Sequence, residues 1–221
     1  QAIDGLIFGD DPSQGVRRGR SFMHPGLRIA FAVPPGFVMS NSPRQLLALG
    51  PQMSRIIFDM ADPKEARRVR SLTDYVGTEW GRHLNERQPV ERLEVNGLRG
   101  ATVQGRVSGQ DGARDVRLVV MRGDREKIFR FAFITKPSET QWLSTELRRA
   151  TFSFRRLSAK EAADIRPLRV RITTAKRGDT VASLAKRYPF ERFQKEWFQL
   201  LNNKRLGDKI RPGQKVKMVT D

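Results

Sequence analysis

The chain has 221 residues, 38% of them hydrophobic, and 42 Lys and Arg against 24 Asp and Glu give it a net charge of +18. The length favours two domains over one. The absence of cysteine excludes disulfides, thiolate metal sites and cysteine catalysis while leaving the redox compartment open, and no apolar run approaches the ~20 residues of a membrane span.

Residues 1–22 are rich in Gly, Asp and Arg, with turn signals at Gly9-Asp10-Asp11-Pro12 and Gly15, and read as a connector from a preceding domain. The chain opens at Gln1 without a basic-then-apolar leader, and we expect it to be a piece of a longer protein. Ile29, Phe31 and Val33 alternate within a half-buried strand that stops at Pro34-Pro35-Gly36. Ser54 to Met60 predicts a second strand. Leu72, Tyr75, Val76, Trp80 and Leu84 then recur at helical spacing, with Ser71 as N-cap, Asp74 in the first turn and Gln88-Pro89 as the stop.

Leu93 to Val107 reads as two strands interrupted at Asn96-Gly97, a hairpin or bulge signal. Arg114 to Met121 and Lys127 to Ile134 form an expected antiparallel pair around Gly123-Asp124. In the second of these, Phe129, Phe131 and Phe133 share one face and Ile128, Ala132 and Ile134 the other, so the strand should be central in its sheet. Ser138 and Gln141 suggest a capping box for a helix burying Trp142, Leu143, Leu147 and Ala150. Thr151 to Leu157 closes the unit with Phe152 and Phe154. Ser158 to Arg169 is polar, contains Pro167 and suits a linker. The expected fold is therefore α+β, a mainly antiparallel sheet sandwiched by helices. It occupies residues 23–157, followed by a linker at 158–169 and a small βααβ domain at 170–221.

The last fifty residues run strand, Lys176-Arg177-Gly178-Asp179-Thr180, helix from Val181, a second helix ending in Leu200-Leu201-Asn202, then Pro212-Gly213 and a strand to Val219. That order resembles a LysM domain, a module that elsewhere binds N-acetylglucosamine glycans such as peptidoglycan. The turns have a structural explanation first: Gly178 permits positive φ, Asp179 or Thr180 can cap the helix, and Pro212-Gly213 makes a turn before the final strand. By the resemblance, a shallow glycan groove would use Gly178, Asp179, Thr180, Asn202, Ile210 and Gly213. Phe193, Trp197, Phe198 and Leu201 make the module bulkier than usual and are expected as core or interdomain packing.

The layout of residues 23–157, with its Val33-Pro34-Pro35-Gly36-Phe37 opening, Gly97 hairpin and closing Phe152-Ser153-Phe154, resembles a PsbP-like sandwich. Ile3-Asp4-Gly5-Leu6-Ile7-Phe8-Gly9-Asp10-Asp11-Pro12, followed by Arg18-Gly19-Arg20-Ser21-Phe22-Met23-His24-Pro25, resembles the region after the catalytic domain in Ste24/HtpX-type zinc metallopeptidases of the BepA-like group. In those enzymes an HExxH helix binds zinc through two histidines one turn apart. Here the histidines are His24 and His83, and neither has a partner at that spacing. No catalytic residue can be carried over and no metal ligand is expected; zinc would belong to an upstream domain, and the fragment itself should hold no cofactor.

The implied function is a non-catalytic C-terminal region of a periplasmic, cell-envelope metalloprotease, of the kind that serves protein quality control. The sandwich would dock substrates or envelope partners and the tail would anchor to peptidoglycan. A stand-alone peptidoglycan-binding envelope protein is the first alternative. A nucleic-acid binder is the second, suggested by the charge alone. Residues 158–221 carry 16 basic and 7 acidic side chains, and residues 1–157 carry 26 and 17, so both parts are basic and the smaller one more densely so. Basic surfaces attract polyanions. Yet the basic residues are dispersed, Arg67-Arg68-Val69-Arg70 being the densest run, and no helix-turn-helix, RRM or KH signature accompanies them.

Overall fold

The computed structural model describes residues 3–109, 112–190, 192–205 and 207–221. In chain order the strands of the first part are β1 (Val16–Arg18), β2 (Ser21–His24), β3 (Ile29–Ala32), β4 (Val38–Asn41), β5 (Leu46–Leu49) and β6 (Arg55–Met60). Two short helices follow, α1 (Pro63–Arg68) and α2 (Leu72–Asp74), the latter running into a π-helical turn at Tyr75–Trp80. Then come β7 (Glu91–Val95), β8 (Leu98–Gly109), β9 (Gly112–Asp124), β10 (Lys127–Thr135), α3 (Pro137–Phe152), β11 (Arg155–Arg156) and α4 (Ala159–Asp164). The C-terminal part contains β12 (Arg169–Thr174), α5 (Val181–Ala185), α6 (Gln194–Leu201) and β13 (Lys215–Thr220).

β10 organises the larger part. It is the middle strand of a seven-stranded antiparallel sheet ordered β4-β5-β6-β10-β9-β8-β7. Phe129, Phe131 and Phe133 point to one side, where Phe58, Phe154 and the α3 residues Leu143, Leu147 and Ala150 meet them. A second sheet, β1-β2-β3-β11, contributes Phe22, Ile29 and Phe31 to the same core. The rings interlock at 4.8 Å (Phe58–Phe131), 5.0 Å (Phe31–Phe131) and 5.1 Å (Phe129–Phe154) between centroids, the range in which edge-to-face and offset contacts are favourable. Ile128 points the other way, with Ala101, Val103, Leu118 and Val120, and is covered by Ala66 of α1, Val69 at its end, and Tyr75 and Val76 of the π turn. The fold is thus α+β with a mainly antiparallel sheet buried on both faces.

Polar order supports the second face. Arg130 grips Asp59 with Nε and Nη2, both at 2.8 Å, and its Nη1 donates to the Tyr75 hydroxyl at 3.1 Å. Tyr75 in turn donates to Glu65 at 2.8 Å, and the Arg130 guanidinium stands over the Trp80 ring. Such a bidentate, further hydrogen-bonded pair holds its geometry better than an isolated surface pair.

Several elements depart from the sequence expectation for identifiable reasons. The helix expected through Leu84 is only α2 plus a π turn that stops at Gly81. Gly77 and Gly81 weaken a helix there, and a Cβ on Gly77 would meet Val90 at 2.8 Å. The Ser138 capping box does not form. α3 begins two residues earlier, at Pro137 behind the N-cap Lys136, because proline's fixed φ and missing N–H suit the first helical position. Trp142 is 66% exposed: the spacing of Leu143, Leu147 and Ala150 sets the buried stripe, and Trp142 falls off it. Phe152 is likewise largely exposed while Phe154 is buried. Within the expected linker, Ser158 and Glu161 form a reciprocal capping box that starts α4.

In the C-terminal part, β12 and β13 pair antiparallel from Arg169↔Thr220 to Thr174↔Lys215. Leu184, Tyr188, Phe198, Val216 and Met218 form the core beneath α5 and α6. The segment expected as a connector runs beside β12. Gly5 N–H donates to the Val170 carbonyl, Val170 N–H to Leu6, and Phe8 N–H to Leu168, at 2.7–2.9 Å. Phe8 then packs against Phe190 and, edge-on, against Trp197. No helix is long and apolar enough to cross a membrane among the described residues.

Candidate functional site

The two turns singled out in the C-terminal module are built by local bonds. At the first, Asp179 N–H donates to the Lys176 carbonyl, and the Asp179 carboxylate accepts Lys176 N–H at 2.7 Å and Arg187 Nη2 at 3.3 Å. Gly178 has φ +90° there, a conformation only glycine adopts without strain. Thr180 is the N-cap of α5, its hydroxyl accepting Ser183 N–H at 3.0 Å while Ser183 Oγ accepts Thr180 N–H at 2.9 Å. At the second, Gln214 N–H donates to the Arg211 carbonyl, and Gly213 again takes a positive φ.

Ala175 joins the two turns. Its N–H donates to the Gln214 carbonyl and its carbonyl accepts Gly213 N–H, both at 2.8 Å. Gly178, Thr180 and Gly213 are therefore exposed on neighbouring turns, with Lys176, Arg177 and Arg211 exposed around them. A shelf of this kind offers open main chain and positive charge to a ligand.

The other three expected contacts are differently used. Asn202 Nδ2 donates to the carbonyls of Phe198 at 3.0 Å and Lys217 at 2.9 Å, while its Oδ1 accepts Lys217 N–H at 2.7 Å. Asn202 thus fastens the end of α6 to β13. Asp179 turns its carboxylate inward, and Ile210 is half-buried against the module core. Of the four bulky residues expected as packing, Phe198 is fully buried, Leu201 packs beside the core and Trp197 lies on Phe8, but Phe193 is 67% exposed, its left-handed backbone at the start of α6 leaving the ring off the buried face.

His24 sits on β2 with Nδ1 accepting Leu27 N–H at 3.2 Å, and burial lowers its pKa. His83 is exposed and accepts a bond from Arg82 at its Nε2. No group of three or more His, Asp or Glu that could hold a metal gathers among the described residues. Sequence reasoning passed over one cluster altogether: Arg117, Thr102 and Arg148 meet in a cavity between the large sheet and α3. The available signal was a cation standing where the alternation of Val119 and Met121 leads to an apolar residue.

No protein-family model matches the chain, and no curated protein sequence matches it. Among solved structures, cyanobacterial PsbP (CyanoP) from Synechocystis is similar at 14% identity and TM-score 0.45, over 69% of this chain and 98% of that one. LpqN, described as involved in cell envelope biogenesis of Mycobacterium tuberculosis, is similar at 13% identity and TM-score 0.43, over 59% and 83%. A protein from Bacteroides thetaiotaomicron is similar at 10% identity and TM-score 0.45, over 88% and 65%.

Proposed function

We propose that this chain is a non-catalytic docking region of a cell-envelope protein, its C-terminal βααβ module lying against an N-acetylated glycan such as peptidoglycan. The observation that carries the reading is the pair of bonds through Ala175, which hold two exposed glycine turns side by side. Glycines let a sugar approach the main chain closely, and the exposed turn carbonyls can accept from its acetamido N–H groups. The contact set favoured by this geometry is Gly178, Thr180 and Gly213; Asp179 acts by holding the first turn and Asn202 by fastening α6 to β13. The basic rim suits the anionic polymers of an envelope.

The larger sandwich would dock substrates or partners, and the machinery served would be an upstream zinc metallopeptidase domain. Support for that parent is the likeness of residues 3–12 and 18–25 noted above. Zinc does not fit the residues present, since His24 is on β2 with its Nδ1 already bonded and His83 is in a separate exposed turn. A coding sequence that lacks HExxH upstream of Gln1 would remove the protease.

Co-sedimentation with purified peptidoglycan tests the glycan reading. The wild-type chain should sediment, soluble N-acetylglucosamine oligomers should release it, and binding should persist at moderate salt. Binding that salt abolishes and the oligomers leave untouched would mean charge attraction alone, and would sink the proposal.

A further inference from the structure

The α3 face of the large sheet is apolar around Phe131 and becomes polar toward β7 and β8. On β9, Val119 and Met121 enter the phenylalanine core. Arg117 shares their face, in register with Gln104 of β8 and Phe133 of β10. α3 crosses above without closing the gap. A cavity of about 680 Å³ remains, floored by Thr102, Arg117 and Phe133 and flanked on the helix side by Thr140, Ser144 and Arg148. Small-molecule sites occupy about 300–1,000 Å³.

The two ends of the cavity differ. At one, the carboxylates outnumber the cation but are all engaged: Arg106 bonds Asp115 at 2.8 Å and Glu86 at 3.1 Å, and Thr140 Oγ1 donates to Asp115 at 2.7 Å. At the other, Arg117, Arg148 and Arg92 are set against Glu91 alone. Arg117 donates through Nε to Thr102 Oγ1 at 3.3 Å, and its guanidinium carbon is 5.8 Å from the Phe133 ring centre. Among the described residues no carboxylate comes within ion-pair distance of it, and its two Nη atoms make no hydrogen bond. Burial pulls its pKa below the ordinary guanidinium value, Arg148 adds to the drop, and Glu91 opposes it.

A half-buried cation beside a second cation is unfavourable without an anion. The open fork of a guanidinium matches the two oxygens of a carboxylate or phosphate. Exposed Phe152 and half-buried Leu93 line the same cavity and supply an apolar surface. We propose that this cavity binds a small molecule bearing a carboxylate or phosphate on an apolar body, the anion held between Arg117 and Arg148 and the body lying on Phe152 and Leu93. The site is remote in sequence from the module turns and does not depend on the glycan reading.

Titration calorimetry and thermal melting on the full chain test it, with benzoate, phenyl phosphate, inorganic phosphate and neutral benzyl alcohol as probes. At least one aromatic anion should bind saturably and raise the melting midpoint. Comparing benzoate with phenyl phosphate separates the two head groups, and benzyl alcohol should not bind. Arg117→Gln and Arg148→Gln should each weaken binding by about tenfold or more, as expected for a lost charge-assisted bond. Arg117→Lys should retain part of it. Without ligand, Arg117→Gln should melt no lower than wild type, which keeps misfolding apart from lost contact. Exposed Arg70→Gln should bind like wild type. The proposal fails if neither aromatic anion binds saturably, if Arg117→Gln binds as well as wild type, or if Arg70→Gln weakens binding equally.

Discussion

Raising the pH of the folded protein should leave both of its tyrosines protonated well past the point where free tyrosine ionises. Tyr75 and Tyr188 are the two tyrosines of the sequence, and each is buried in a different apolar cluster. Burial pushes both phenols up to about 12. Arg130 opposes the rise at Tyr75, where Glu65 adds to it, and the Asn202 amide opposes it at Tyr188. In an unfolded chain both would titrate near 10. The folded state therefore binds these protons more tightly than the unfolded one. The stability this contributes is fully present below about pH 10 and is lost as pH rises through about 12. Each phenol accounts for roughly 2–3 kcal/mol over that window, a sizeable part of the ~5–15 kcal/mol that holds a typical domain together. Phenolate absorbance, followed with circular dichroism, reads the effect directly. Absorbance should stay flat through about pH 11 in buffer, and rise near pH 10 in denaturant. Tyr188→Phe should leave the single late transition of Tyr75. A phenolate signal near pH 10 with unchanged circular dichroism would refute the burial of these phenols.

Three further expectations concern single side chains. Trp142→Ala should change the urea midpoint by less than about 0.5 kcal/mol equivalent, whereas Leu143→Ala next to it should cost about 2–5 kcal/mol; equal effects would mean that α3 is rotated. A Cβ at Gly15 would lie 2.3 Å from the buried Phe22 ring, on a backbone with φ +95°. Gly15→Ala should therefore destabilise by about 1–3 kcal/mol or more, and a melting curve like wild type would refute the contact. Asn202→Ala strands the Lys217 N–H and should cost the module about 1–3 kcal/mol; hydrogen exchange at the Lys217 amide should quicken, and unchanged protection would deny Asn202 its fastening role.

Regular alternation was the readable part of the fold. The two apolar faces of Lys127–Ile134 identified the central strand, and Asn96-Gly97 marked a hairpin whose two residues both take positive φ. β4 and β5 were hidden because Ser42-Pro43 and Gly50-Pro51 interrupt them and because Leu46-Leu47-Ala48-Leu49 is too short to distinguish strand from helix. Trp142 was misplaced because hydrophobicity was weighed ahead of angular position. The module turns were readable from glycine and capping chemistry, but the inward bonds of Asn202 and Asp179 depend on partners across the fold. Arg117 shows the limit most clearly: its lone position is created by the distance between α3 and the sheet, which no local pattern encodes.

The pairing of residues 5–8 with β12 bears on how this protein can be cut. Arg169 Nη1 bonds the Gly5 carbonyl across 164 positions of sequence, so the small C-terminal sheet is completed by a borrowed third ribbon. A fragment beginning at Ser158 would present an unsatisfied β12 edge and leave Phe190 and Trp197 without the ring that covers them. Bare edges of that sort recruit neighbours. The excised module should therefore self-associate until a synthetic peptide spanning residues 3–12 is added back, which makes the leading segment a detachable clasp.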